Sequence, residues 1–138
     1  MIKIILENKG EKRMKFPDYF PEGCPPEDAI SKEIIVYRIC KNNPIERKDF
    51  ASYYELNKGK SDIKHYGVSV FSNSNEAKMI CLLPNHRQEF IATGKTAEEC
   101  GKIKLTPSIK SSSHITWWLY ENARPEKYFS KMEGIENE

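Results

Sequence analysis

Residues 33–41 read Glu-Ile-Ile-Val-Tyr-Arg-Ile-Cys-Lys. This run constrains the fold more than any other in the chain. β-Branched and aromatic residues dominate it, and apolar side chains fall on both alternating faces. A strand of that kind is covered on both sides, so it belongs in the middle of a sheet. The chain must therefore supply partner strands and material for two covering layers.

Other segments offer both. Residues 65–72 (HYGVSVFS) alternate as a second strand. Tyr66, Val68 and Val70 fall on one face; His65, Gly67, Ser69 and Phe71 fall on the other. Residues 88–93 and 103–106 read as short strands, the first stopped by Gly94 and the second by Pro107. Residues 113–120 (SHITWWLY) are strongly strand-like. Helical spacing of Ile45, Phe50, Tyr53, Tyr54 and Leu56 predicts a helix over 45–57. Asn73 and Ser74 cap a second helix that Pro84 ends. A turn or two of helix is expected over 96–101, with Gly101 as its stop. Pro25 and Pro26 with Glu27 and Asp28 mark a one-turn helix start.

The prolines of residues 16–26 (FPDYFPEGCPP) forbid regular structure there, and their aromatic neighbours favour a segment lying against the body. Residues 1–15 read as a flexible leader or a peripheral strand, and 133–138 as a polar tail. Strands and helices do not alternate regularly enough for a doubly wound sheet. The expected fold is therefore one α+β domain over 16–132: a twisted, mostly antiparallel sheet with two or three short helices.

Composition narrows the function classes. With 138 residues, the chain has the length of one domain. No apolar run approaches the roughly 18 residues of a membrane span. Lys and Arg number 22 and Asp and Glu 20, spread evenly, so no basic stripe points to nucleic acid. The four cysteines, Cys24, Cys40, Cys81 and Cys100, include no CxxC pair. No signal-peptide pattern opens the chain, which implies a cytoplasmic setting and free thiols. Zinc-ligand spacings, GxxxxGK and GxGxxG are all absent, and no metal is expected; the Gly-x-Ser-x-Gly elbow is absent too, so no hydrolase nucleophile is expected.

Three places carry chemistry. Arg38 shares a face with Ile34, Val36 and Cys40. A guanidinium in that row demands a partner. It is an anchor for a phosphate or carboxylate, or else a structural salt bridge, or an arginine reaching solvent at a strand end. Gly67 sits inside a predicted strand between His65 and Ser69. A strand glycine marks a close backbone approach, by a ligand or by packing. On the last long strand, His114, Thr116, Trp118 and Tyr120 share one face. They form a lining for a planar ligand, or a polar surface edge; Ile115, Trp117 and Leu119 face the core.

The order Val36-Tyr37-Arg38, then Gly67-Val68-Ser69-Val70-Phe71, then an aromatic C-terminal strand resembles the layout of ADP-ribosyltransferase-like domains. Small bacterial toxin domains of that class are similar in size. The resemblance implies that Arg38 holds the phosphate or ribose of NAD and that Ser69 shapes the nicotinamide pocket. The acidic residue of that family has its nearest counterpart in Glu121, and no Glu-x-Glu or Gln-x-Glu is present. The chain also resembles uncharacterised small bacterial proteins with a FPxxCPPEDA-like opening and a HxTWW-like ending, here Phe20 to Ala29 and His114 to Trp118. That likeness implies no activity.

The expected function is a nucleotide- or NAD-binding domain, with Arg38, Ser69 and His114 as its reactive set. Tyr37, His65, Gly67, Thr116 and Trp118 are expected to line the ligand. The alternative is a non-enzymatic interaction module of antitoxin, immunity or complex-assembly type, presenting a patch that includes Tyr19, Phe20 or Trp118 to a protein partner.

Overall fold

In the computed structural model of the chain, which describes residues 14–57 and 62–132, the apolar run forms β1 (Ile35–Cys40). The expectations for the first 13 residues, for the loop at 58–61 and for the tail at 133–138 lie outside the described residues. Five more strands follow: β2 (Val68–Phe71), β3 (Phe90–Lys95), β4 (Gly101–Leu105), β5 (His114–Leu119) and β6 (Phe129–Lys131). All described pairings are antiparallel, and the order across the sheet is β4-β5-β2-β1-β3-β6. β1 is thus central, as its two apolar faces require. Two short helices, α1 (Tyr53–Asn57) and α2 (Ser74–Cys81), and several 3-10 turns complete a single α+β domain. Among the described residues, no helix is long and apolar enough to cross a membrane.

The register sorts the side chains into two layers. Val36, Val68, Val70, Ile103, Ile115, Trp117 and Phe129 share the main core with Phe50, which stands edge-on to both Trp117 and Phe129. On the opposite face, α2 lays Ala77, Ile80 and Cys81 over Phe71, Ile91, Tyr37 and Ile39. Farther along that face the proline-rich arm packs over Trp118. Phe16 and Phe20 pack there with Tyr66, Trp118 and Ala29, and Tyr19 stacks on Tyr54. The arm's prolines keep it irregular, and its rings provide the area that holds it down.

Several elements differ from expectation, each for a local reason. The helix expected over 45–57 is two pieces. A 3-10 turn (Arg47–Phe50) opens with a reciprocal cap between Glu46 and Asp49. Ala51 is extended, and a second reciprocal cap between Ser52 and Glu55 starts α1. Two capping boxes in close succession restart the chain where periodicity alone predicts continuity.

Residues 63–66 form a 3-10 turn rather than strand, capped by the Asp62 carboxylate. His65 therefore precedes β2 and does not alternate with Ser69. Gly94 does not break β3; it pairs with Val36 on one side and Phe129 on the other, and the Phe129 ring occupies the space a side chain would take. The helix expected over 96–101 is a tight turn, with the Cys100 N–H donating to the Ala97 carbonyl. Thr96 directs that turn, as its buried hydroxyl donates to Lys32 O at 2.6 Å and accepts from Ile34 N at 3.0 Å. All four cysteines are free.

Candidate functional site

The ladder between β1 and β2 has a single register pair, Tyr37 opposite Phe71. Beyond it the two strands part. Arg38 bridges the gap: its Nη1 donates to Ser69 O at 2.6 Å and its Nε to Asp49 O at 2.9 Å. Its guanidinium also stands 5.4 Å from the centre of the Phe50 ring. A cavity of about 410 Å³ opens beside this gap. Its floor is β2 and β5, through Gly67, Ser69, His114 and Thr116. Arg38 and Lys64 supply cationic groups, and Tyr53 and Leu56 of α1 supply an apolar wall.

A chain of hydrogen bonds runs along the floor. His114 Nε2 lies 2.8 Å from Ser69 Oγ. His114 Nδ1 lies 3.0 Å from the Thr106 carbonyl oxygen and 2.9 Å from Thr106 Oγ1. Thr106 Oγ1 in turn lies 2.8 Å from Thr116 Oγ1. A carbonyl oxygen only accepts, so Nδ1 carries the proton. Nε2 is then bare, and it accepts the Ser69 hydroxyl. Burial lowers the His114 pKa below its ordinary 6.5; the bond that Nδ1 donates to the Thr106 carbonyl opposes this and the Lys64 charge adds to it. The imidazole is therefore neutral near pH 7. A neutral imidazole receiving a serine hydroxyl, and held in one tautomer from behind, has the geometry of a base beside a nucleophile.

Arg38 lacks the structural salt bridge that its place in a core row invites. Both of its hydrogen-bond acceptors are neutral carbonyls. The nearby Asp49 carboxylate is engaged elsewhere. Burial raises the Asp49 pKa, but bonds from Glu46 N, Lys41 N and the Asn42 side chain and backbone outweigh this and hold it below its usual value. Burial likewise pulls the Arg38 pKa down from its usual value, with Cys40 and Asp49 acting against it. Among the described residues, neither Arg38 nor Lys64 has a carboxylate within 4.0 Å, and the cavity lining contains no Asp or Glu. The cavity is thus a partly buried site whose cations have no carboxylate in direct contact, although Asp49 and Glu89 act on Arg38 through space.

Arg38, Ser69 and His114 all border this one cavity, together with His65, Gly67 and Thr116. Ser69 and His114, however, stand on the sheet face of Tyr37 and Phe71, whereas Arg38 leaves β1 on the main-core face with Val36 and Cys40 and reaches the cavity edge through its bond to Ser69 O. Two expected lining residues lie elsewhere. Tyr37 alternates away from Arg38 and packs under α2. Trp118 is 1% exposed; the arm covers it, and its indole N–H donates to Ile63 O at 3.0 Å. A patch built on Trp118 is closed for the same reason, although Tyr19 remains 41% exposed. Gly67 is explained by packing, since a Cβ there would meet Thr116 Cγ2 at 2.6 Å and Trp117 O at 3.0 Å. Glu121 lines a different cavity, of about 290 Å³, with Tyr19, Arg47 and Glu55. It does not join the reactive set.

Sequence reasoning missed Lys64, Thr106 and the wall of α1. Thr106 acts largely through its backbone carbonyl, which leaves no residue-type signal. Lys64 is one lysine among many. Among the described residues, no group of His, Cys, Asp and Glu is arranged to hold a metal ion. Burial pushes the Cys40 thiol up to about 12 and the Cys100 thiol to about 11, which makes both poor nucleophiles. No protein-family model, curated protein or solved structure matches the chain.

Proposed function

We propose that the cavity over β2 and β5, beside Arg38, binds a small anionic molecule bearing a phosphate group, with a nucleotide such as NAD or ADP as the fitting class. The observation that carries this reading is Arg38: a guanidinium held by two neutral carbonyls at a cavity wall, with no carboxylate in contact with it. Such a charge is costly to bury alone and is offset by an anion. Two of its five N–H donors are engaged, leaving a fork that suits phosphate oxygens. Lys64 adds a second cation. The cavity's volume of about 410 Å³ falls within the range of small-molecule sites. Tyr53, which packs on His65 with ring centres 4.9 Å apart, provides a flat apolar wall for a base or nicotinamide.

Calorimetric titration with NAD, ADP and pyrophosphate tests the reading. Binding is expected, weakened tenfold or more in Arg38→Gln, since bonds to a charged group contribute about 1.5–3 kcal/mol. Absence of heat with all three at millimolar concentration overturns it.

A further inference from the structure

We infer that Ser69 is a covalent nucleophile and His114 its general base, in an acyl-transfer or ester-hydrolysis reaction on a substrate that carries an anionic group. This rests on the preceding proposal only for where that anionic group sits. The covalent step stands on its own geometry.

Ser69 is exposed on the cavity floor, and its hydroxyl points its proton at a bare imidazole nitrogen 2.8 Å away. The imidazole cannot turn to present its other nitrogen without breaking the bonds to Thr106. Nothing in this arrangement is needed to hold the sheet. β2 and β5 already pair over Val68–Trp117 to Phe71–His114. The site therefore spends a tautomer lock and a desolvated histidine on one exposed serine.

In the reaction, Ser69 Oγ attacks the carbonyl carbon of an ester or thioester. As the Oγ–C bond forms, the hydroxyl proton passes to His114 Nε2. The carbonyl oxygen gains the electron pair and faces the Arg38 side of the cavity. Collapse of that adduct breaks the bond to the alcohol or thiol, which leaves with the proton from Nε2. Water then attacks the acyl-serine, giving its proton to Nε2, and a carboxylic acid departs as Ser69 regains its hydrogen. No oxidant, metal or second substrate besides water is required. The Thr106 carbonyl holds the tautomer but carries no full negative charge. The imidazolium is thus less stabilised than beside a carboxylate, and slow turnover is expected.

A neutral alkyl fluorophosphonate tests the inference, because it reacts with activated serines and needs no anion site. Oγ displaces fluoride, and one phosphonyl group is added to the protein. Intact-mass and peptide analysis are expected to find it on Ser69 and to find none in Ser69→Ala. His114→Gln, checked for folding by circular dichroism, is expected to label about 100-fold more slowly or less. No label on wild-type Ser69 overturns the inference, as does equal labelling of a folded His114→Gln protein.

Should His114→Gln fail to fold, the pH profile of wild-type labelling decides. Among the described residues, the charged and titratable groups that line the cavity around His114 are Arg38 from β1, Tyr53 from α1, and Lys64 and His65 from the turn before β2. A rate that rises with pH through the ring pKa measured for His114 by NMR, and then levels, supports the base. A rate that follows His65 instead, or climbs without a plateau, overturns it. Labelling without nucleotide binding sinks the anion reading alone; binding without labelling sinks this one alone.

Discussion

His114 and Ser69 are hydrogen-bonded at 2.8 Å although they are not opposite one another in the sheet. The register pairs His114 with Phe71 and Ser69 with Thr116. The imidazole therefore reaches diagonally, across one step of the β2–β5 ladder. Diagonal neighbours on one face are within range of a long side chain. Thr106 fixes that direction from behind. The Phe71 ring flanks the imidazole edge-on, with ring centres 5.5 Å apart.

The titration of His114 follows from this burial. Its folded pKa is lowered from 6.5, first by burial and further by Lys64, against the Thr106 bond. The unfolded chain then binds a proton that the folded one refuses. His114 contributes its full stability above pH 6.5 and loses it as pH falls through the folded pKa. NMR titration of the ring resonances is expected to give a midpoint below 6.5, and a midpoint above it contradicts the burial argument.

Glu76 latches the loop before β5. Its carboxylate accepts hydrogen bonds from the hydroxyls of Ser111, Ser112 and Ser113 and from Ser113 N. These bonds, led by the one from the Ser113 hydroxyl, hold its pKa at about 2. The latch is present above the ordinary carboxylate value of 4.5 and is lost as pH falls towards about 2. In Glu76→Ala, amide exchange at Ser111 to Ser113 is expected to accelerate near neutral pH. The wild-type loop is expected to show the same acceleration only in strong acid.

Gly67→Ala tests whether that glycine serves packing. The added methyl must displace Thr116 Cγ2, at 2.6 Å, and crowd the Trp117 carbonyl at 3.0 Å. A loss of about 1–3 kcal/mol is expected in urea denaturation. The bond between Thr116 and Thr106 is disturbed with it. Gly23→Ala makes the contrast: φ is 81° there and no atom lies within 4 Å, so only the left-handed backbone cost of about 1–2 kcal/mol applies.

The two adjacent tryptophans are not equivalent. Trp118 donates its indole N–H to Ile63 O at 3.0 Å, whereas Trp117 Nε1 is buried with no partner among the described residues. Replacing either by Phe removes the same volume. Trp118→Phe also loses a hydrogen bond, while Trp117→Phe removes an unsatisfied donor. Trp118→Phe is expected to be the more destabilising by about 1 kcal/mol or more, read as a shift in urea midpoint at constant m. Equal losses contradict this.

β1 and β5 were legible in the sequence because β-branched and aromatic residues on both faces leave few alternatives to a buried strand. The α+β class and antiparallel pairing followed from the element order. Ser69 and His114 stood out as polar residues in apolar strands, and Arg38 as a charge in a core row. Local chemistry sufficed for those judgments. What only the tertiary structure decided was adjacency. The β2–β5 register is set by packing between segments 45 residues apart, and it alone brings Nε2 to Oγ. The parting of β1 from β2 turns Arg38 from a core-row residue into a cavity wall. The covering arm turns Trp118 from a candidate ligand contact into core. The residues' types and spacing thus marked which side chains are candidates for chemistry. Long-range packing, whose cost and gain are spread over the whole chain, determined which of them meet.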